Sequence, residues 1–200
     1  VDLGGPLVAT WAYGDTVPGR ELRITAGDVL RARVRNALPD ATSVHWHGVA
    51  LRNDMDGVPG LTQSPIGPDA EFVYMFTVPD PGTYFVHPHA GVQTDHGLYA
   101  PLVVEDPQEP GAYDVDQVVV LDDWTDGVGE DPDTILRRLL SDGHSMGGMS
   151  GMGMGGMSGS QGDRQLSPLG RDTGDVAYPY YLANGRIPTA PQVTRANPGQ

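Results

Sequence analysis

The sequence predicts an all-β protein folded as a Greek-key sandwich, and three observations carry that expectation. Short segments of alternating apolar and polar residues recur between positions 7 and 106, the pattern of half-buried strands. Gly and Pro, 28 and 18 of the 200 residues, separate these segments at the close spacing typical of sandwiches, roughly eight to twelve residues. A hydrophobic content of 38% is enough for one sizeable core.

The elements follow in order. Residues 7–14 and 21–37 read as strands; in the second stretch Leu30, Ala32 and Val34 alternate with Arg31, Arg33 and Arg35, apolar inward and charged outward. Ala26-Gly27-Asp28 supplies a turn. Residues 42–49 are expected to be extended, and the Asp-, Gly- and Pro-rich stretch 53–66 to form a shaped surface connection that could wall a site. Phe72, Tyr74, Phe76 and Val78 give the next strand an aromatic inner face. Pro79-Asp80-Pro81-Gly82 turns the chain into residues 83–86, so these two strands are expected to be a hairpin or near neighbours. Leu98, Ala100, Leu102 and Val104 line one face of the last strand in this series.

Pro107-Gln108-Glu109-Pro110-Gly111 reads as a boundary, giving a first domain over 1–107, a linker over 108–114 and a partial second domain over 115–200. Beyond the linker, 117–121 predicts a buried strand. Asp131-Pro132 predicts a helix start, with Asp as the cap and Pro in the first turn. Ile135, Leu136, Leu139 and Leu140 continue it, and Gly143 sits where a C-terminal cap is expected. Residues 144–162 are dominated by Gly, Met and Ser, a composition that buries no core and predicts a mobile loop. Tyr180-Tyr181-Leu182 and the Asn184-Gly185 turn signal restore order, and 192–194 reads as extended.

Chemistry concentrates in His45-Trp46-His47 and His87-Pro88-His89. On a strand, residues two apart share a face at roughly 6.6 Å along the backbone, so each pair offers two imidazoles to one side. If the two strands are neighbours, four imidazoles converge. Neutral imidazole suits copper, zinc, iron and nickel alike, so the four histidines alone do not select the metal. There is no cysteine, which removes thiolate-ligated blue copper, iron–sulfur clusters and a thiol nucleophile from this chain.

The stretches His45-Trp46-His47-Gly48, Asp54-Met55-Asp56-Gly57-Val58-Pro59-Gly60, Thr62-Gln63-Ser64-Pro65-Ile66, Gly82-Thr83-Tyr84-Phe85-Val86-His87-Pro88-His89 and Gly97-Leu98-Tyr99-Ala100-Pro101-Leu102-Val103-Val104 resemble the first cupredoxin domain of multicopper oxidases, of the laccase and bacterial copper-resistance type. Tyr181-Leu182-Ala183-Asn184-Gly185-Arg186 is similar to the start of the middle domain. The resemblance implies a cupredoxin-like sandwich followed by an incomplete second one. It implies His45 as a type 2 copper ligand, His47, His87 and His89 as type 3 copper ligands, and Asp56 as an acid that assists proton delivery. Asp56 also suits a plain turn position. In such an oxidase, oxidation of phenols, aromatic amines or Cu(I) is coupled to reduction of dioxygen to water. The type 1 copper and the remaining ligands come from a C-terminal cupredoxin domain, so the 200-residue polypeptide alone is expected to be inactive.

Two other readings compete. One is a non-catalytic copper-binding or copper-tolerance module, in which the methionine thioethers, soft ligands for Cu(I), assist the histidines. The other, a zinc hydrolase, is disfavoured because Gly48-Val49-Ala50 and Ala90-Gly91 follow the two pairs where a nearby acidic base is wanted. His96 is expected to be structural or at the surface. The net charge of −14, with all twelve basic residues arginine, argues against a nucleic-acid partner. No apolar run is long enough for a transmembrane helix and Val1-Asp2-Leu3 carries no signal peptide; a periplasmic or extracellular location is what the resemblance implies.

Overall fold

The computed structural model describes residues 1–145 and 176–199. Its elements are β1 (Leu22–Thr25), β2 (Val29–Arg35), β3 (His45–His47), β4 (Glu71–Thr77), β5 (Gly82–His87), β6 (Ala100–Glu105), β7 (Leu121–Trp124), α1 (Pro132–Ser145) and β8 (Tyr180–Ala183). One sheet has the order β1-β6-β5-β3, with β1 parallel to β6 and the other pairs antiparallel. The antiparallel pair β2-β4 forms the facing sheet. Their inner faces share one core that includes Leu30, Tyr74, Phe76, Trp46, Val86, Leu102 and Val104. The expected cupredoxin-like, Greek-key sandwich is therefore the observed architecture, with one helix among the described residues.

Consecutive strands from β1 to β5 alternate between the two sheets. The turn at Ala26-Gly27-Asp28, closed by Asp28 N–H donating to the Thr25 carbonyl (3.0 Å), carries the chain from β1 across to β2. The same crossing overturns the expected hairpin of the fourth and fifth strands. Pro79-Asp80-Pro81 takes the chain from one sheet to the other, so β4 pairs with β2 while β5 pairs with β3 and β6. Alternation finds the strands but says nothing about which sheet receives them.

Two further strand expectations fail. Residues 7–14 form no strand and make only isolated bridges, Asp2 to Leu7 and Tyr13 to Thr16. Residues 117–120 are likewise outside any strand; β7 begins at Leu121, which is 78% exposed, because β8 covers it on one edge only. These apolar residues serve a second core instead. Leu3, Val8, Val17 and Tyr99 pack with Trp124, Leu182 and Ile187, with Val120 against its rim, so the N-terminal segment stacks on the β7-β8 pair. The Asn184-Gly185 turn closes as expected, both residues having positive φ (51° and 71°), as a tight two-residue hairpin turn requires.

Helix α1 starts as expected: the Asp131 carboxylate accepts from the Thr134 N–H at 3.0 Å, satisfying one of the unpaired donors of the first turn. It runs through Gly143 to Ser145, so Gly143 does not end it. The Met-rich tract from Met146 onward lies outside the described residues. The extended piece at 192–194 joins no ladder.

His96 is not at the surface, and its surroundings tie it into the fold. It is buried, with Nδ1 3.0 Å from Asp126 Oδ2 and Nε2 3.0 Å from Asp133 Oδ2. Its carbonyl accepts from the Thr10 hydroxyl and the Trp11 N–H. One residue, through its ring and its carbonyl, thus ties the N-terminal segment, the loop after β5, the loop after β7 and the first turn of α1 together. Burial pulls the His96 pKa down, but the hydrogen bonds to Asp133 and Asp126 outweigh it and the net shift is upward from 6.5.

A group whose folded-state pKa is raised stabilises fully below its unfolded value and loses that contribution as pH rises through the folded value. The native protein is therefore expected to lose stability as pH rises from about 6.5. A His96→Gln variant, about 2 kcal/mol less stable on the acid side for loss of charged hydrogen bonds, should show no such decline. Unfolding midpoints of both proteins measured across this range check the prediction.

Candidate metal centre

The site is built on the shortest strand. β3 has three residues, and its middle one, Trp46, points into the sandwich, 1% exposed, edge-on to Tyr74 (5.6 Å) and Phe76 (5.1 Å) of the opposite sheet. Alternation then forces His45 and His47 onto the outer face. β3 pairs antiparallel with β5 in the register His45 opposite His87 and His47 opposite Phe85. Three histidines and one phenylalanine thus occupy the corners of a two-by-two array. The chain turns at Pro88, and His89 completes the group with its N–H donating to Ser43 Oγ at 3.1 Å, Ser43 being fully buried.

The structure brings all four predicted histidines together. Ring centroids lie 5.6 Å apart for His45 and His47, 5.4 Å for His45 and His87, 4.5 Å for His45 and His89, and 5.1 Å for His87 and His89. Donor atoms of His45, His87 and His89 all fall within 4.8 Å of one another. His47 joins through His87, its Nδ1 standing 3.0 Å from His87 Nε2.

Hydrogen bonds decide which nitrogen each ring has free. His45 Nδ1 donates to the Asp56 carbonyl (2.7 Å) and His87 Nδ1 to the Pro88 carbonyl (3.1 Å). A carbonyl only accepts, so each Nδ1 carries the proton and each Nε2 keeps its lone pair, that of His87 facing His47 Nδ1 at 3.0 Å. Burial, offset by the Pro88 bond and reinforced by the three neighbouring imidazoles, pulls the His87 pKa down to about 4. The same first cause lowers that of His89.

Asp56 lies beside His45. Besides its carbonyl, one carboxylate oxygen stands 3.4 Å from His45 Nδ1 with the side chain 30% exposed. The contact exists because Gly57, at φ +78°, lets the loop touch β3: a Cβ there would lie 1.9 Å from the Val44 carbonyl oxygen. The loop expected to wall a site does so through this one point.

A second group, His96, Asp126 and Asp131, also has donor atoms within 4.8 Å, but both nitrogens of His96 are bonded to carboxylates and Asp131 caps α1.

Comparisons with known proteins meet the four-histidine geometry at this point. The multicopper oxidase family profile matches residues 2–109. The chain belongs to the multicopper oxidase family. It is 53% identical over 201 residues to multicopper oxidase MmcO of Mycobacterium tuberculosis, covering 100% of this chain and 38% of that protein. It is 46% identical over 140 residues to copper resistance protein A of Pseudomonas syringae pv. tomato, covering 70% and 22%. Among solved structures, a multi-copper oxidase from Pseudomonas thermotolerans superposes with a TM-score of 0.66 at 29% identity, covering 92% of this chain and 38% of that one. The chain thus spans well under half the length of these relatives.

Multicopper oxidases use copper, and the residues present fit it: four imidazoles, two of them with the metal-facing nitrogen fixed by a backbone carbonyl, in a site that disfavours protons on His87 and His89. Sequence reasoning missed Ser43 and Gln93, whose amide joins Thr42 Oγ1 (2.7 Å) and the Ala41 carbonyl (2.8 Å) beneath the site. It also missed Phe85. Only Phe85 left a signal, since it lies two residues before His87 and so on the same face.

Gly57→Ala is expected to push the loop off β3, costing about 3 kcal/mol or more from the strained φ and the backbone clash. Thermal unfolding reads the loss of stability. Nitrogen NMR should show the His45 Nδ1 proton exchanging faster than in the native protein.

Proposed function

We propose that this chain supplies the N-terminal half of a trinuclear copper cluster in an oxidase that couples one-electron oxidation of phenols, aromatic amines or Cu(I) to four-electron reduction of dioxygen to water. The observation that carries the reading is the convergence of four imidazoles from β3, the end of β5 and the residue pair after it, two with an Nε2 lone pair imposed by a carbonyl bond. His45 is assigned to the type 2 ion and His47, His87 and His89 to the type 3 pair. The relatives named multicopper oxidase and copper resistance protein support copper over the other imidazole-binding metals. We assign residues 1–107 to the first cupredoxin domain, 108–114 to the linker and 115–200 to part of the second. The type 1 copper, the remaining cluster ligands and the substrate site belong to a C-terminal cupredoxin domain, and the whole protein works in the periplasm or outside the cell.

When bound, copper supplies one-electron steps at several neighbouring centres, so that dioxygen receives four electrons without release of partly reduced products. The chain's own residues do three things. The carbonyls of Asp56 and Pro88 hold His45 and His87 in one tautomer and one orientation. The sandwich holds both histidine pairs without rearrangement, through Trp46 and the β3-β5 register. The Asp56 carboxylate, partly exposed and beside His45, takes up protons from solvent and delivers them where water is formed.

The two functions of Asp56 separate cleanly, because its carbonyl orients His45 while its carboxylate moves protons. In the complete oxidase, Asp56→Asn is expected to leave copper content unchanged and to slow dioxygen consumption by about 100-fold. Loss of copper together with activity would assign Asp56 a structural part instead. Copper bound at these histidines in a complete protein that consumes no dioxygen with any of the three reductants would identify a copper-holding module, not an oxidase.

A further inference from the structure

His45 and His87 each have a backbone carbonyl that fixes the ring. His47 has none: among the described residues, its only ring hydrogen bond is to His87 Nε2, and it is exposed at the end of the edge strand β3. What holds its plane is Phe85, the residue opposite it in the β3-β5 register. The Phe85 ring stacks on His47 at 4.6 Å and 23° and, on its own strand, on His87 at 4.9 Å and 16°. Pro101 of β6 flanks Phe85 on the other side.

Phe85 contributes nothing to the sandwich core. It is 39% exposed, on the face opposite Val86 and Trp46. An aromatic residue on a strand commonly packs against a cross-strand neighbour, and that alone would account for one stacked ring. It does not account for two imidazoles lying within 23° of the same phenyl plane while their nitrogens face each other at 3.0 Å.

We propose that Phe85 is a positioning residue for the type 3 copper pair: its ring takes the place of a carbonyl bond for His47 and sets the planes of His47 and His87 together, so that Nδ1 of one and Nε2 of the other are presented as a matched pair. The inference rests on the assignment of His47 and His87 to copper. Stacking orients a ring about its own axis less strictly than a hydrogen bond, but it occupies neither nitrogen of His47, whose Nδ1 faces His87 Nε2 at 3.0 Å. It also covers one side of each ring with apolar surface.

The test uses the complete oxidase with Phe85→Leu, which keeps an apolar side chain on an exposed face, and Phe85→Tyr, which keeps the ring. Three quantities are read: the metal-free unfolding midpoint, copper retained against a chelator, and the fraction of copper visible by electron paramagnetic resonance, since a coupled pair is silent. For Phe85→Leu the midpoint should be unchanged, copper at the pair should be lost about 10- to 100-fold more readily, as when other supports of metal ligands are removed, and the visible fraction should rise. Phe85→Tyr should match the native protein in all three. Native retention and native silence in Phe85→Leu overturn the proposal, and so does a Phe85→Tyr variant that behaves like the leucine one. His47→Ala and His87→Ala serve as the control on the copper assignment itself: if neither removes copper, that assignment fails and the proposal with it.

Discussion

His45 stands opposite His87 because β3 lies antiparallel to β5 in one register, and little in the site survives a change in that register. A slip of one residue would turn Trp46 outward and the histidines into the core. The cost is prohibitive in both directions: a large indole would be exposed and polar rings buried without partners. Trp46, packed against Tyr74 and Phe76 of the other sheet, therefore acts as the lock on a strand too short to specify its own pairing. Three ladder residues make a weak strand, and the sandwich core makes it a definite one.

The lock sets where the imidazoles are, whereas the loops set how they are turned. Gly57 brings the 53–66 connection against Val44 so closely that only a residue without Cβ fits, and the neighbouring Asp56 carbonyl reaches His45 as a result. Ser43, on the residue before Val44, holds the backbone of His89. Tyr74, in the core, braces the same short segment, its hydroxyl oxygen accepting from the Val44 N–H at 3.0 Å. Residues 42–44 thus bond to the β2-β4 sheet through Tyr74, to Ile66 of the 53–66 connection and to the loop after β5, and the precision of the site is inherited from this segment.

Strands with strict alternation were legible in the sequence. β2 and β4 follow Leu30, Ala32, Val34 and Phe72, Tyr74, Phe76, and the helix start follows Asp131-Pro132, because these signals are local. Sheet membership was not legible, since Pro79-Asp80-Pro81 looks the same whether it closes a hairpin or crosses a sandwich. Residues 7–14 misled for a related reason: Leu7 is 82% exposed while Val8 is buried beside Trp124, and a segment packed by single anchors onto a distant pair of strands carries strand-like composition without a ladder. In the site, the histidines were legible from the two-residue spacing. The contact of Asp56 with His45 came only from family resemblance, and the linkage of His96 to Asp126 and Asp133 spans 30 and 37 residues, beyond any local pattern.

Histidines answer burial in opposite ways in the two parts of the molecule, and the difference follows from what surrounds them. His96 lies between two carboxylates and holds its proton more tightly than usual. His87, partly desolvated and faced by three other imidazoles, gives up its proton far below the usual range. Four basic rings about 5 Å apart repel each other's charge, and a carbonyl on Nδ1 leaves the lone pair of Nε2 pointing inward. The penalty of crowding falls on the charged form of a ring, which is why burial and its neighbours lower the pKa of His87 and His89 together. The sandwich and the two carbonyl bonds make the arrangement of the four rings a property of the fold itself.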